Sequence, residues 1–221
     1  MRFKSDLKLV KKIKGIENFD IKKFPQLYRC DMEFAKAQGN EELNKILSKF
    51  KLSGKYKYVS IDSRTHMLME GMFPCIPGWH CDDFYRTAEL GNQPDLKNVH
   101  KVAPAVHHML ILGDNSKTEF TTADVDADDP VKILEQEGKD KPVYLYYDKM
   151  LEEYAADSEL PTVHVEPATI YTFGPTAFHR GQAATKNGWR FFIRVTESNH
   201  RNPKNEIRYQ TQVYTDGRVS W

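Results

Sequence analysis

Trp189-Arg190-Phe191-Phe192-Ile193-Arg194-Val195-Thr196 alternates along its length, with Phe191, Ile193 and Val195 on one side and Arg190, Phe192, Arg194 and Thr196 on the other. A period of two marks an extended strand whose faces meet different surroundings. The apolar side calls for a core beneath it. The other side carries two guanidinium groups, which are expensive to bury unless something anionic meets them. A strand lying between a core and a polar site satisfies both faces.

Outward from this strand, β runs are predicted at 56–62, 65–73, 105–113, 117–122, 142–147, 161–165, 168–173 and 206–215. Two helices precede them. The first runs from Asp31 to Gln38 and ends at Gly39. The second is capped by Asn40, carries Glu41 and Glu42 in its first turn, and sets Leu43, Ile46, Leu47 and Phe50 at helical spacing before Ser53-Gly54 stops it. Helices first and strands afterwards indicate a mainly β (α+β) architecture, with a helical segment over 1–55 and a β core over 56–215. The helices are expected on the outer face of the larger sheet, against Phe191, Ile193 and Val195. With 221 residues, 40% of them hydrophobic, and no internal repeat or linker, the chain reads as one domain.

The chemistry gathers around His80-Cys81-Asp82, His179 and Arg190. Residues i and i+2 of an extended chain point to the same side, so His80 and Asp82 share a face while Cys81 points away. Two imidazoles and one carboxylate fill three octahedral positions of a ferrous ion and leave three open. Eight histidines and 31 acidic residues in 221 positions give about one His-x-Asp/Glu by accident, and two occur. The second, His164-Val165-Glu166, lies only fifteen residues before His179, on a neighbouring strand of one hairpin, so it is set aside. An Arg fork accepts a carboxylate in a bidentate contact that Lys cannot copy, which suits Arg190 and Arg194 to dicarboxylate or other anionic ligands.

His-x-Asp, a distal His after a Gly-containing turn (Gly174 to His179) and an Arg eleven residues beyond it together resemble the iron(II)- and 2-oxoglutarate-dependent dioxygenase superfamily, across residues 66–196. The resemblance implies a double-stranded β-helix (jelly roll), with Fe(II) held by His80, Asp82 and His179. It further implies 2-oxoglutarate as cosubstrate with its distal carboxylate on Arg190, O2 as oxidant, and hydroxylation with release of succinate and CO2. Asp82 favours hydroxylation over halogenation, because halogenating relatives keep that position free for halide. The Arg four residues on, Arg194, is similar to one in the taurine dioxygenase-like branch that helps hold an anionic substrate. By strand order, Thr118 is placed to hydrogen-bond a carboxylate. Two alternatives stand beside this reading: a non-catalytic cupin-like binding module, and a nucleic-acid-directed oxygenase of the same superfamily. The basic N-terminus with Arg201, Lys204, Arg208 and Arg218 points to the latter.

A net charge of +1 supplies no global basic field for a phosphate backbone, which favours a small-molecule substrate over a polymer. Three cysteines, Cys30, Cys75 and Cys81, have neither disulfide nor zinc spacing. With no apolar run of membrane-spanning length and no h-region after the N-terminal lysines, a cytoplasmic protein is expected.

Other residues invite weaker readings. Residues 114–142 are expected to form a lid or surface loop, with a short helix near 130–137, and Asp124 to Pro130 lacks the Gly and Glu of a calcium loop. His107 and His108 lie in an apolar run, one expected inward and one outward, with structural hydrogen bonds. Trp79, Tyr144, Tyr146 and Tyr147 are candidates for lining a substrate cavity, although aromatics at strand spacing more often belong to the core. His66 and His100 carry no supporting pattern.

Overall fold

The computed structural model describes residues 2–75, 77–82, 105–126, 143–157 and 160–215. The architecture is mainly β with antiparallel sheets. The larger sheet has five strands in the order β2 (Lys8–Lys12), β9 (Thr169–Phe173), β5 (Ala105–Leu112), β11 (Gly188–Ser198) and β4 (Tyr58–Leu68). A smaller sheet orders β10 (His179–Gly181), β6 (Thr118–Thr121) and β8 (Thr162–His164). Short pairs join β1 (Arg2–Phe3) to β7 (Val125–Asp126) and β3 (Leu27–Tyr28) to β12 (Glu206–Ile207).

Alternation on β11 divides two cores, as expected. Phe191, Ile193 and Val195 are fully buried with Leu110 and Leu112 of β5 against α1 (Met32–Gln38) and α2 (Glu41–Leu47). Each such side chain contributes about 1.5–3 kcal/mol relative to exposure. The Asn40 cap holds as the sequence suggests, accepting from Leu43 N–H at 2.9 Å, and Asp31 caps the first helix in the same way, accepting from Phe34 N–H at 2.7 Å, each stabilising by about 1 kcal/mol. On the other face, Met109 and Ile111 of β5 meet Phe120 of β6 and Phe173 of β9, with Phe192 packed alongside. The smaller sheet therefore lies over the polar face of β11, and the site lies between the two.

Several expectations need correction. The strand expected over 142–147 is replaced from Val143 on: Val143–Asp157 form a helix, α3, in which Tyr147 and Leu151 bury one face against Phe3, Trp79 and Phe178. Aromatic β-propensity is a weak prior, and here the helical spacing of Tyr147, Met150, Leu151 and Tyr154 prevails. Trp79 and Tyr147 are thus core residues, while the side chains of Tyr144 and Tyr146 lie outside the described ones. The runs 56–62 and 65–73 merge into the single strand β4, and 206–215 shrinks to β12. The segment 1–55 also contributes strands, β2 extending the larger sheet. Asn115, Ser116 and Thr118 to Thr121 are buried in or beside β6 rather than forming part of a lid; residues 127–142, with the expected helix near 130–137, lie outside the described ones. Among the described residues no helix is long and apolar enough to cross a membrane.

Candidate metal centre

A two-way backbone bridge builds the centre. His80 N–H donates to the His179 carbonyl at 3.0 Å and His179 N–H to the His80 carbonyl at 2.9 Å. Residues 99 positions apart thereby stand side by side, their rings 4.6 Å between centroids. Asp82, two residues beyond His80, shares its side. One ligand atom from each of His80, Asp82 and His179 lies within 4.8 Å of the others, so the group can bind a metal.

The backbone orients both rings. His80 Nδ1 is 2.9 Å from the Gly78 carbonyl and His179 Nδ1 is 3.0 Å from that of Ala177. A carbonyl only accepts, so each ring donates from Nδ1 and keeps its Nε2 lone pair for ligation. His179 Nε2 then faces Asp82 Oδ2 at 3.3 Å. Two acceptors in apposition are satisfied by a cation between them, so the donor set fits a metal. Phe120 stacks on His179 and Phe173 meets it edge-on, fixing its ring from two sides. Burial above all pushes His80 down to about 4 and keeps it in its neutral, ligating form. Burial opposes the charge of Asp82, yet the Arg194 guanidinium beside it holds its carboxyl well below the usual range.

The segment bearing His80 and Asp82 is anchored by α3. Trp79 N–H donates to Asp148 Oδ1 at 2.7 Å. Gly78 has φ +103, and a Cβ there would lie 2.7 Å from the Asp148 carboxyl. Only glycine accommodates both the left-handed backbone and the close approach.

Arg190 and Thr118 come together as well. Arg190 is 3% exposed, and its Nε donates to the Ser116 carbonyl at 3.1 Å and its Nη2 to Thr118 Oγ1 at 3.0 Å. Burial above all pushes its guanidinium down to about 10. Both partners are neutral. Arg194 differs: it donates from Nη1 to Asp82 Oδ2 and lies 3.5 Å from Asp62 Oδ2, so two carboxylates meet its charge. All six residues singled out in the sequence, His80, Asp82, Thr118, His179, Arg190 and Arg194, line one cavity of about 150 Å3.

The same cavity contains residues to which the sequence reading gave no role, notably Asp62, Arg64 and His66 of β4. Their signal was polar residues at i, i+2 and i+4 in a strand. His164 and Glu166 are exposed and lie outside the metal-binding group; His164 faces Glu119 at 3.6 Å. His107 and His108 do make the structural bonds expected of them, to Thr196 Oγ1 and Glu197 Oε1, both at 3.0 Å. Neither points outward, for both are buried: helices cover one face of β5 and the smaller sheet covers the other. His100 lies outside the described residues.

No protein-family model matches the chain, and no curated protein matches it.

Proposed function

We propose that the chain is an Fe(II)- and 2-oxoglutarate-dependent oxygenase on a double-stranded β-helix, oxidising a small substrate. The observation that carries this reading is one cavity combining an incomplete His-Asp-His ligand set with Arg190, a deeply buried arginine whose hydrogen-bond partners, Ser116 and Thr118, are both neutral. A structural zinc site is closed by four ligands, whereas three protein ligands leave positions for reactants.

His80, Asp82 and His179 would hold the metal on one side. Bound there, ferrous iron supplies the oxidation in which 2-oxoglutarate, O2 and substrate C–H become succinate, CO2 and C–OH. Arg190 takes the distal carboxylate of 2-oxoglutarate. Thr118 Oγ1 accepts from Arg190 and keeps its own proton to donate to the same carboxylate. Phe120, Phe173 and Met109 exclude water from the inner side. Arg194 neutralises Asp82, which keeps the carboxylate ionised and directed.

The test is succinate release from 2-oxoglutarate by purified protein with Fe(II) and ascorbate in air. His80→Ala, Asp82→Ala and His179→Ala are each expected to abolish it while remaining folded by circular dichroism. His164→Ala is expected to retain it. Metal binding without succinate release under any of these conditions would indicate a binding module instead.

A further inference from the structure

The cavity carries more positive charge than its own carboxylates answer. Arg64, Arg190, Arg194, Arg201 and Arg208 line it, against Asp62 and Asp82. Asp82 meets Arg194; Asp62 accepts from Arg201 Nη2 at 2.8 Å and also faces Arg194. Those two pairs use up both carboxylates. Arg190 is held by Ser116 and Thr118. Arg64 and Arg208 remain, and among the described residues no carboxylate stands within ion-pair distance of either.

These two arginines also mark a boundary. Both line the inner cavity and also a second pocket of about 480 Å3, whose other walls are Gln26, Gln210, Thr211, Gln212 and Tyr214. The inner cavity falls short of the roughly 300–1,000 Å3 of small-molecule sites, and the outer pocket falls within it. The outer walls offer amides and hydroxyls with no acid. Arg208 is set for recognition: its guanidinium stacks on the Tyr28 ring at 3.7 Å and its backbone N–H is tied to the Gln26 carbonyl at 2.9 Å. Stacking fixes the plane of the fork and leaves its in-plane donors free for an anion. Arg64 projects from β4 on the face that carries Asp62 and His66, opposite Phe192 of β11.

We infer that Arg64 and Arg208 form an anion subsite at the mouth of the metal cavity. The substrate is then a small, hydrogen-bonding molecule bearing a phosphate or carboxylate, whose uncharged polar remainder occupies the glutamine-lined pocket. The substrate label rests on the oxygenase reading; the anion site does not. This moves the anion contact away from Arg194, whose charge is already met by Asp82 and Asp62.

The experiment follows the arginine Nε–Hε signals of the full, metal-free chain by NMR as inorganic phosphate, acetate or a single-stranded oligonucleotide is added. Phosphate or acetate is expected to move the Arg64 and Arg208 signals with one shared dissociation constant while those of Arg194 and Arg201 stay in place. The tighter of the two probes identifies the anionic group. Arg64→Gln combined with Arg208→Gln is expected to weaken that probe at least tenfold with the backbone spectrum intact, and Arg208→Lys by less. No shift of either arginine with both small anions, or an Arg194 signal that moves first, would overturn the subsite. An oligonucleotide that competes with phosphate and binds more tightly would overturn the small-molecule class. None of these readouts needs iron or 2-oxoglutarate, so loss of succinate release and loss of anion binding are separate results.

Discussion

His66 and Arg190 face each other across β4 and β11, with Arg64 two residues away on the same face. His66 is 1% exposed; burial first, and then the charges of Arg190 and Arg64, push it down to about 4. Its folded value thus lies below the roughly 6.5 of an unfolded chain. Between those values the unfolded state holds a proton that the folded state lacks, so stability falls as pH drops through the window, by about 1.4 kcal/mol per pH unit. His66→Gln is expected to flatten the dependence of urea-unfolding free energy on pH between 6.5 and 4. Equal slopes for the two proteins would show that His66 does not set it. The Arg190 pair permits a second comparison. Arg190→Ala removes a charge-assisted contact to the cosubstrate in a desolvated place, and should raise the 2-oxoglutarate concentration for half-maximal succinate release by a hundredfold or more, a loss of about 3 kcal/mol. Thr118→Val removes one neutral donor, about 1 kcal/mol, and should raise it about fivefold. Similar effects from both would mean that Thr118 matters by positioning Arg190.

At the scale of elements, α3 governs the ligand segment through Asp148. Gly78→Ala would combine a left-handed φ with a Cβ on the Asp148 carboxyl, whereas Gly71 has φ +86 with open space around it. Gly71→Ala therefore carries the backbone strain alone, about 1–2 kcal/mol, and serves as the control. Gly78→Ala is expected to weaken Co(II) binding at least tenfold in an anaerobic titration, and Gly71→Ala to leave it within twofold. Equal losses would show that the collision with Asp148 does not govern the ligands. The importance of this helix was hidden in the sequence. Tyr144, Tyr146 and Tyr147 carry β-propensity, and the helical period emerges only when Met150, Leu151 and Tyr154 are read with them. β4 was legible as two runs, 56–62 and 65–73, and its continuity through Ser63 and Arg64 was not. Two polar residues meet at the junction: Ser63, on the face of Ile61, accepts from Leu27 N–H and donates to the Pro25 carbonyl, while Arg64 lines the cavity with Asp62 and His66 on the other face. β11 was legible because one of its faces is wholly apolar and its core is local to that face. His80, Asp82 and His179 were legible because their residue types and spacing state the chemistry directly, although the backbone bridge between His80 and His179 could not be read from either segment.

Across the whole molecule, the proposed metal would tie together parts that the chain brings into contact late in its sequence. Two ligands sit on a segment anchored to α3 and the third on β10, a strand of only three residues at the edge of the smaller sheet. Beyond the His80–His179 bridge, the described backbone gives that edge little further support, so ligation should stabilise the fold as well as serve chemistry. A ligand that binds only the native state stabilises it by RT ln(1 + [L]/Kd), about 2.7 kcal/mol at a hundred times Kd. For a chain of this size each kcal/mol moves the melting temperature by about 2–4 °C. Adding Mn(II) or Co(II) to chelator-treated protein at that excess is expected to raise the melting temperature by about 5–10 °C. His179→Ala should cancel the rise, because it removes the ligand that connects β10 to the other two. His164→Ala should preserve it, because His164 points away from the centre at the exposed end of β8. The measurement is differential scanning calorimetry of the three proteins with and without metal. A full rise in His179→Ala would mean that the metal binds elsewhere, and the catalytic reading would fall with it; a rise kept by the unsubstituted protein but lost in both variants would instead assign His164 to the site.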